Sequence, residues 1–428
     1  MKRLIEPIVL LSLIPILLIA IAWAVFGMPI GAVVTALALG WLRQAILELP
    51  DDAVRAAMLI NFSGALEFNN MFASYKGEGT GAIRHMFAHH ILKPERVPIE
   101  GNVWGTSKSS GAFATLFRSR LLRAIEYRDA PFEVAVERVN GHSEGKRIYG
   151  ASPAFTGRVS TRWPPKTMKR GIFLSCGSSA ATRLMAKTID LVITDPPFFD
   201  NVHYSELADF FYAWQRLGPS PFTQDRPTTR HSEEVQDVSV EQFAVKLRAV
   251  FSECCRVLKD DGLMVFSYHH SRPDGWNALA QAVLESGMSF VNCHPVKAEM
   301  SVAAPKSQAK EPIQLDVILV CRKLPTDTRC KQSLDASVER AIIHAKSKAV
   351  RLQGSGLSLS ANDRRVILIG QFLVAVCPGR SAAQLCSVLC ETLPELDRAA
   401  LGLLDFPHNQ TLTHGATQID EQQLSLLE

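Results

Sequence analysis

Hydrophobic positions change their spacing several times along the chain. From Leu4 to Phe26 every residue is apolar or proline, glycine-free and uncharged except for Glu6 and Ser12, a run about as long as one bilayer-spanning helix. A second apolar run, Ile30 to Leu42, is short for a span. From about Trp41, in LRQAILELPDDAVRAAMLINFSGAL, apolar residues recur at helical spacing and predict amphipathic helix. In the middle of the chain GIFLSCGSS reads as a strand and turn, ATRLMAK as a short helix, and IDLVI as a buried parallel strand that ends in TDPPFF. SELADFFYAWQRL then reads as a helix with aromatics on its inner face, followed by a polar loop from Gly218 to about Ser239. VEQFAVKLRAVFSECCRVLK is an amphipathic helix broken by Asp260, Asp261 and Gly262. GLMVFSYHH is a further buried strand, WNALAQAVLESG a helix, and FVNCHPV and LDVILVCRK two more strands. Beyond about Pro325 two helical stretches are expected, roughly Leu334 to Val350 and Arg364 to Leu404. The alternation predicts an α/β fold with a parallel doubly wound sheet and active groups at the carboxyl ends of its strands. Four regions follow: an apolar leader (1–42), a helical and loop region with a basic helix (43–150), a catalytic region (151–325) and a helical C-terminal region (326–428).

Composition narrows the class. Of the 428 residues 47% are hydrophobic and 21% charged, as in a globular protein, and the net charge of +4 permits a nucleic-acid partner without arguing for one. The nine cysteines are scattered with no CxxC pair, which fits reduced thiols in a cytoplasmic protein and argues against a zinc site. The leader leaves two readings open: a membrane anchor through residues 4–26, or an atypical start on a soluble chain. His85, His89 and His90 lack an acidic or cysteine companion, so no metal is expected, and GEGTG, with no strand ahead of it, reads as a loop. Two basic segments are candidates for DNA contact. One is the helix bearing Arg118, Arg120 and Arg123 behind a Ser/Gly-rich stretch; the other holds Arg158, Arg162, Lys166, Lys169 and Arg170 around Trp163. A solvated basic face is the competing reading for both.

The segment with most chemistry is DPPF. A strand-end carboxylate followed by two prolines holds the Asp195 side chain and the Pro196 carbonyl as a fixed pair of acceptors, because proline fixes φ and has no N–H. An exocyclic amino group offers two N–H donors to match, and Phe198 offers a flat surface for an extruded base. A capping role at a strand-to-loop turn is the plainer alternative for Asp195. His269 and His270, after the strand GLMVFSY, are candidates for the same pocket, as are Asn201, His203 and Tyr204 just past the motif.

DPPF resembles the [DNS]PP[YFW] signature of the amino-group DNA methyltransferases. CGSSAATRLMAKTIDLVITDPPFFDNVHYSELADFFYAW, RVLKDDGLMVFSYHH, DGWNALAQAVLESGMSFVNCHPVKAEM and LDVILVCRK together look like the adenine-specific DNA methylases that carry a DUF1156 region. HHILKPERVPIEGNVWG and SSGAFATLFRSRLLRAIEY resemble the same group, so that the likeness covers about residues 45 to 325. The resemblance implies a Rossmann-like methyltransferase sheet with helical appendages, S-adenosyl-L-methionine as cofactor, and transfer to N6 of adenine or N4 of cytosine in DNA. By position it gives Asp195 and Pro196 the amine, Phe198 the base and Pro197 the rigidity of the turn, with Gly177, Ser178 and Asp195 beside the cofactor. Two features depart from the family. The turn Gly177-Ser178-Ser179 lacks the usual acid, and no Asp-Pro-Phe followed by a glycine cluster stands upstream. An active methyltransferase is therefore expected alongside two alternatives: a silent nucleic-acid-binding remnant, or one subunit of a split enzyme whose partner chain supplies the cofactor loop.

Overall fold

The computed structural model describes residues 30–377, apart from 76–82, 89–91, 93–102, 106–110, 140–141, 152–156, 162–170, 200–201, 223–225, 271, 299–312 and 325–332, and describes Gln384, Ser387 and Val388 beyond them. The chain divides into two units; the first runs to Ser178 and includes Phe199–Val238, while the second holds Ser179–Phe198, Ser239–Val302 and the chain from Lys306.

The first unit is built on helices. α1 (Ile30–Leu47) and α2 (Asp52–Leu66) bury Leu39, Ile46, Leu59, Phe62 and Leu66 in one cluster with Phe113 and Leu116. Asp51 starts α2 by accepting from the Val54 amide at 2.8 Å. β1 (Ser74–Tyr75) and β2 (Ile83–Arg84) form a small antiparallel pair. α3 (Phe113–Leu116) continues through a π turn, Phe117–Leu122, into α4 (Arg123–Asp129). β3 (Phe132–Val139) and β4 (His142–Tyr149) make an antiparallel ribbon, and β5 (Arg158–Ser160) pairs in parallel with β6 (Gly171–Phe173). The expected strand at GIFLSCGSS is therefore three residues long and pairs only with β5 among the described residues. α5 (Tyr204–Gln215) does present an aromatic face: Phe210, Phe211 and Trp214 pack on the cluster, and Gln215 Nε2 donates to Ser63 Oγ at 2.8 Å. Among the described residues no helix is long and apolar enough to cross a membrane; the run 4–26 lies outside them.

The second unit is a four-stranded sheet with helices. Its strands are β7 (Ile189–Thr194), β8 (Leu258–Tyr268), β9 (Met288–Lys297) and β10 (Leu315–Lys323), in the order β7-β8-β10-β9. β7 and β8 are parallel, whereas β10 is antiparallel to both of its neighbours. The sheet is mixed rather than parallel because no helical pattern separates FVNCHPV from LDVILVCRK, and strands joined without a crossover helix pair antiparallel. Residues 181–187, expected as a helix, contain none. β8 begins at Leu258 and runs through Asp260, Asp261 and Gly262, the residues expected to form a break.

Helices α6 (Val240–Val257), α7 (Pro273–Glu285) and α9 (Ala361–Val376) pack on one face of the sheet, and α8 (Leu334–Gly354) packs on α9. Phe251 of α6 lies 5.3 Å from Phe266, and Trp276 of α7 lies 5.1 Å from Tyr268. The register puts Met264, Phe266, Tyr268, Val317, Leu319, Cys321 and Cys293 on this face, and all are buried. The opposite face is less covered: Leu191 and Ile193 of the edge strand β7 are 47% and 73% exposed, so the strand read as fully buried is a half-exposed edge.

Candidate active site

The site grows from the carboxyl end of β7. Parallel pairing sets Leu191 against Leu263 and Ile193 against Val265. Two residues further along, Asp195 meets Ser267, whose hydroxyl donates to Asp195 Oδ1. Asp195 is exposed, Pro196 buried, and Pro197 and Phe198 half-buried. The prolines stop β7 and hold the carboxylate at the strand tip. The Phe198 ring packs edge-on against Tyr268 at 5.5 Å and His269 at 4.7 Å. His269 Nδ1 lies 2.5 Å from Asp316 Oδ1, with side-chain exposures of 12% and 19%; the contact is a charge contact without hydrogen-bond alignment. One sheet face thus gathers Asp195, Ser267, His269 and Asp316 beside Phe198.

His270 has a different part. It is buried, its Nδ1 accepts from the Arg272 amide at 3.0 Å, and its carbonyl accepts from Trp276 Nε1 at 2.9 Å. A Cβ on Gly275 would stand 2.6 Å from the His270 ring, so glycine is what lets α7 start against it. Tyr268 shares that interior, where its hydroxyl donates to the Gly275 carbonyl at 2.9 Å and burial pushes the phenol up. Of the two histidines, only His269 lines the site.

The remaining candidates belong to the first unit. Gly177 and Ser178 are exposed, and a Cβ on Gly177 would meet nothing within 4 Å, so its backbone makes no close approach that requires glycine. Arg118, Arg120 and Arg123 are exposed on the helical stretch from Phe113 to Asp129. Arg120 reaches Glu67 at 3.5 Å and lies 6.0 Å from the Phe68 ring, while His85 Nδ1 lies 3.3 Å from the same glutamate. Arg158 sits in β5; Arg162, Lys166, Lys169, Arg170, His89, His90, Asn201 and the GEGTG loop lie outside the described residues. Tyr204 opens α5, and His203 Nδ1 lies 3.1 Å from Glu206. No group of three metal-ligating side chains occurs among the described residues. Ser267 and Asp316 were not singled out by sequence. The signal for Asp316 is an acid near the start of the otherwise apolar strand LDVILV; Ser267 shows none beyond its alternation with Phe266 and Tyr268.

A mixed α/β sheet with a carboxylate and two prolines at a strand tip is compatible with a methyltransferase fold. Residues 189–353 match the family model for N6/N4 methyltransferases, described as DNA methylase, a span that takes in β7 to β10, the DPPF turn and nearly all of α8. No curated protein matches the chain. The family match supports a DNA amino-methyltransferase, and hence an enzyme.

Proposed function

We propose that the chain methylates DNA on an exocyclic amino group, N6 of adenine in the first place and N4 of cytosine otherwise. The observation that carries this reading is the position of Asp195-Pro-Pro-Phe198 at the carboxyl tip of a parallel strand inside the matched span. Ser267 occupies Asp195 Oδ1, leaving Oδ2 and the Pro196 carbonyl to receive the two amine N–H groups. Two acceptors on one amine turn its lone pair out of conjugation with the ring, the geometry that methyl acceptance needs, and the amine itself is the nucleophile. Phe198 stacks on the extruded base. The narrower likeness to adenine-specific methylases with a DUF1156 region favours adenine. Arg118, Arg120 and Arg123, with Arg158, Arg162, Lys166, Lys169 and Arg170, are the DNA-backbone contacts this reading assigns.

S-adenosyl-L-methionine is the donor the reading implies, and it would supply an electrophilic methyl group. The described residues do not fit it: Gly177 stands in open space, and neither it nor exposed Ser178 forms a cradle. That observation favours a second reading, in which the chain is one subunit of a split enzyme and a partner chain completes the cofactor site.

Transfer of a labelled methyl group from S-adenosyl-L-methionine to duplex DNA by the full chain tests both. Incorporation that falls about 100-fold or more in Asp195→Ala, the loss typical of removing a preorganised polar group, is the expected outcome. An Asp195→Ala protein as active as wild type would sink the amine-acceptor role. DNA binding without cofactor binding or incorporation would move the reading to the split subunit or the silent remnant.

A further inference from the structure

β8 ends one residue before His269, and the strand pattern carries its imidazole to the same face as Ser267 and Asp195. β10 places Asp316 opposite. The ring nitrogen turned to Asp316, Nδ1, is shut off from solvent. An imidazole whose Nδ1 faces a carboxylate keeps its exchangeable proton there and leaves Nε2 as an acceptor. The groups that face this ring are Asp316 from β10 and, by way of Ser267, Asp195 from the tip of β7. β9 sets Val296 opposite Asp316, while Tyr268 and His270 turn into the interior.

We propose that His269, positioned by Asp316, is the proton acceptor of this site, taking the proton that the target amine must shed on methylation. The proposal rests on the methyltransferase reading above. A methylated exocyclic amine holds one proton and one positive charge too many. Its N–H bond breaks, the electron pair stays on the amine nitrogen, the proton passes to His269 Nε2, and the imidazolium formed is paired with Asp316. Asp195 is a poorer candidate, because Ser267 already takes one of its oxygens and the amine needs the other. Of the acceptors on this face, the imidazole is the type of group whose protonation changes near neutrality. In this scheme His269 is the catalytic residue and Asp316 a positioning residue.

Two measurements on the full chain test the proposal. Nitrogen NMR with labelled histidine should find neutral His269 protonated on Nδ1 and bare on Nε2, with the tautomers mixed in Asp316→Asn. A ring protonated on Nε2 would overturn the proposal whether or not the chain is active. The second measurement is the pH dependence of methyl transfer to DNA, with any completing chain present. His269→Gln should lower the plateau about 100-fold and abolish the acid limb, and Asp316→Asn should move that limb to lower pH. Transfer by wild type with an unchanged profile in His269→Gln would overturn the assignment of His269 alone. No transfer by wild type under any of these conditions would sink the methyltransferase reading, and the role of His269 with it.

Discussion

Glu253 fixes the approach to the site from a single side chain. Its Oε1 receives the Thr182 amide at 2.9 Å and the Thr182 hydroxyl at 2.6 Å, and Arg256 donates to both carboxylate oxygens at 2.7 Å. Arg256 also reaches the Leu184 carbonyl at 2.7 Å. These bonds explain why ATRLMAK is not a helix: the Thr182 amide is committed to a carboxylate, and Arg183 and Lys187 sit at φ of 62° and 55°, left-handed values closed to a helical run. The Arg256 guanidinium, working against burial and joined by the Thr182 donors, lowers the Glu253 carboxyl from its usual 4.5 to about 2. A carboxyl lowered on folding adds stability that is fully present above 4.5 and is lost as the pH falls toward 2. Glu253→Gln should therefore cost about 2 kcal/mol at neutral pH, as loss of hydrogen bonds to a charged group does. Thermal melts at pH 7, 5 and 3 check this. The gap between wild type and variant should hold at the first two and narrow at the third; a gap of constant size would show that the carboxylate charge contributes nothing.

Among the elements, α9 against the sheet is the closest approach. A Cβ on Gly370 would stand 2.4 Å from Cys293 Sγ and 3.6 Å from a Val317 methyl, so the helix rides on the strands with no room for a side chain. Cys293 is buried between them, and its thiol is pushed up to about 12 by that burial, which makes it inert packing. Gly370→Ala should destabilise the second unit by about 1–3 kcal/mol, the range for overpacking, although alanine is the better helix former. Denaturant unfolding followed by tryptophan fluorescence measures it, and an unchanged midpoint would mean that α9 can lift off the sheet freely. The sequence pattern predicts where such elements lie better than how they meet. LDVILVCRK matches β10 end to end, and the aromatics of FFYAW do face inward in α5. The direction of β10 was missed because hydrophobic alternation has no sign: a strand reads the same whether its neighbour runs with it or against it. The long start of β8 was missed for another reason. Asp260 and Asp261 look like helix breakers in a linear reading, yet on an edge Lys187 holds Asp260 at 2.8 Å and Lys259 meets Asp190 at 2.5 Å, which lets acids sit in a strand.

On the scale of the whole molecule, the candidate site was half legible. DPPF carries its meaning locally, since a carboxylate, two prolines and an aromatic in succession define acceptors and a surface without help from distant residues. Ser267 and Asp316 lie 72 and 121 positions from Asp195 in the numbering, and only strand register brings them to one face. The chain itself passes from the second unit to the first directly after Phe198. The edge of β7 has a bearing on how the protein behaves in a tube. Among the described residues no strand pairs with its outer side, and Leu191 and Ile193 stand out from it into water. Natural proteins blunt such edges with lysine, proline or a covering segment. Here the guards are Lys259 and Asp190 at the entrance to the strand, and its last four residues, LVIT, carry no charge. Concentrated samples should therefore coalesce through this strip, and Ile193→Lys should raise the concentration at which light scattering first climbs. Handling of the purified chain, from its shelf life to its tendency to seed fibrils, would then hinge on one short uncharged stretch beside the catalytic turn.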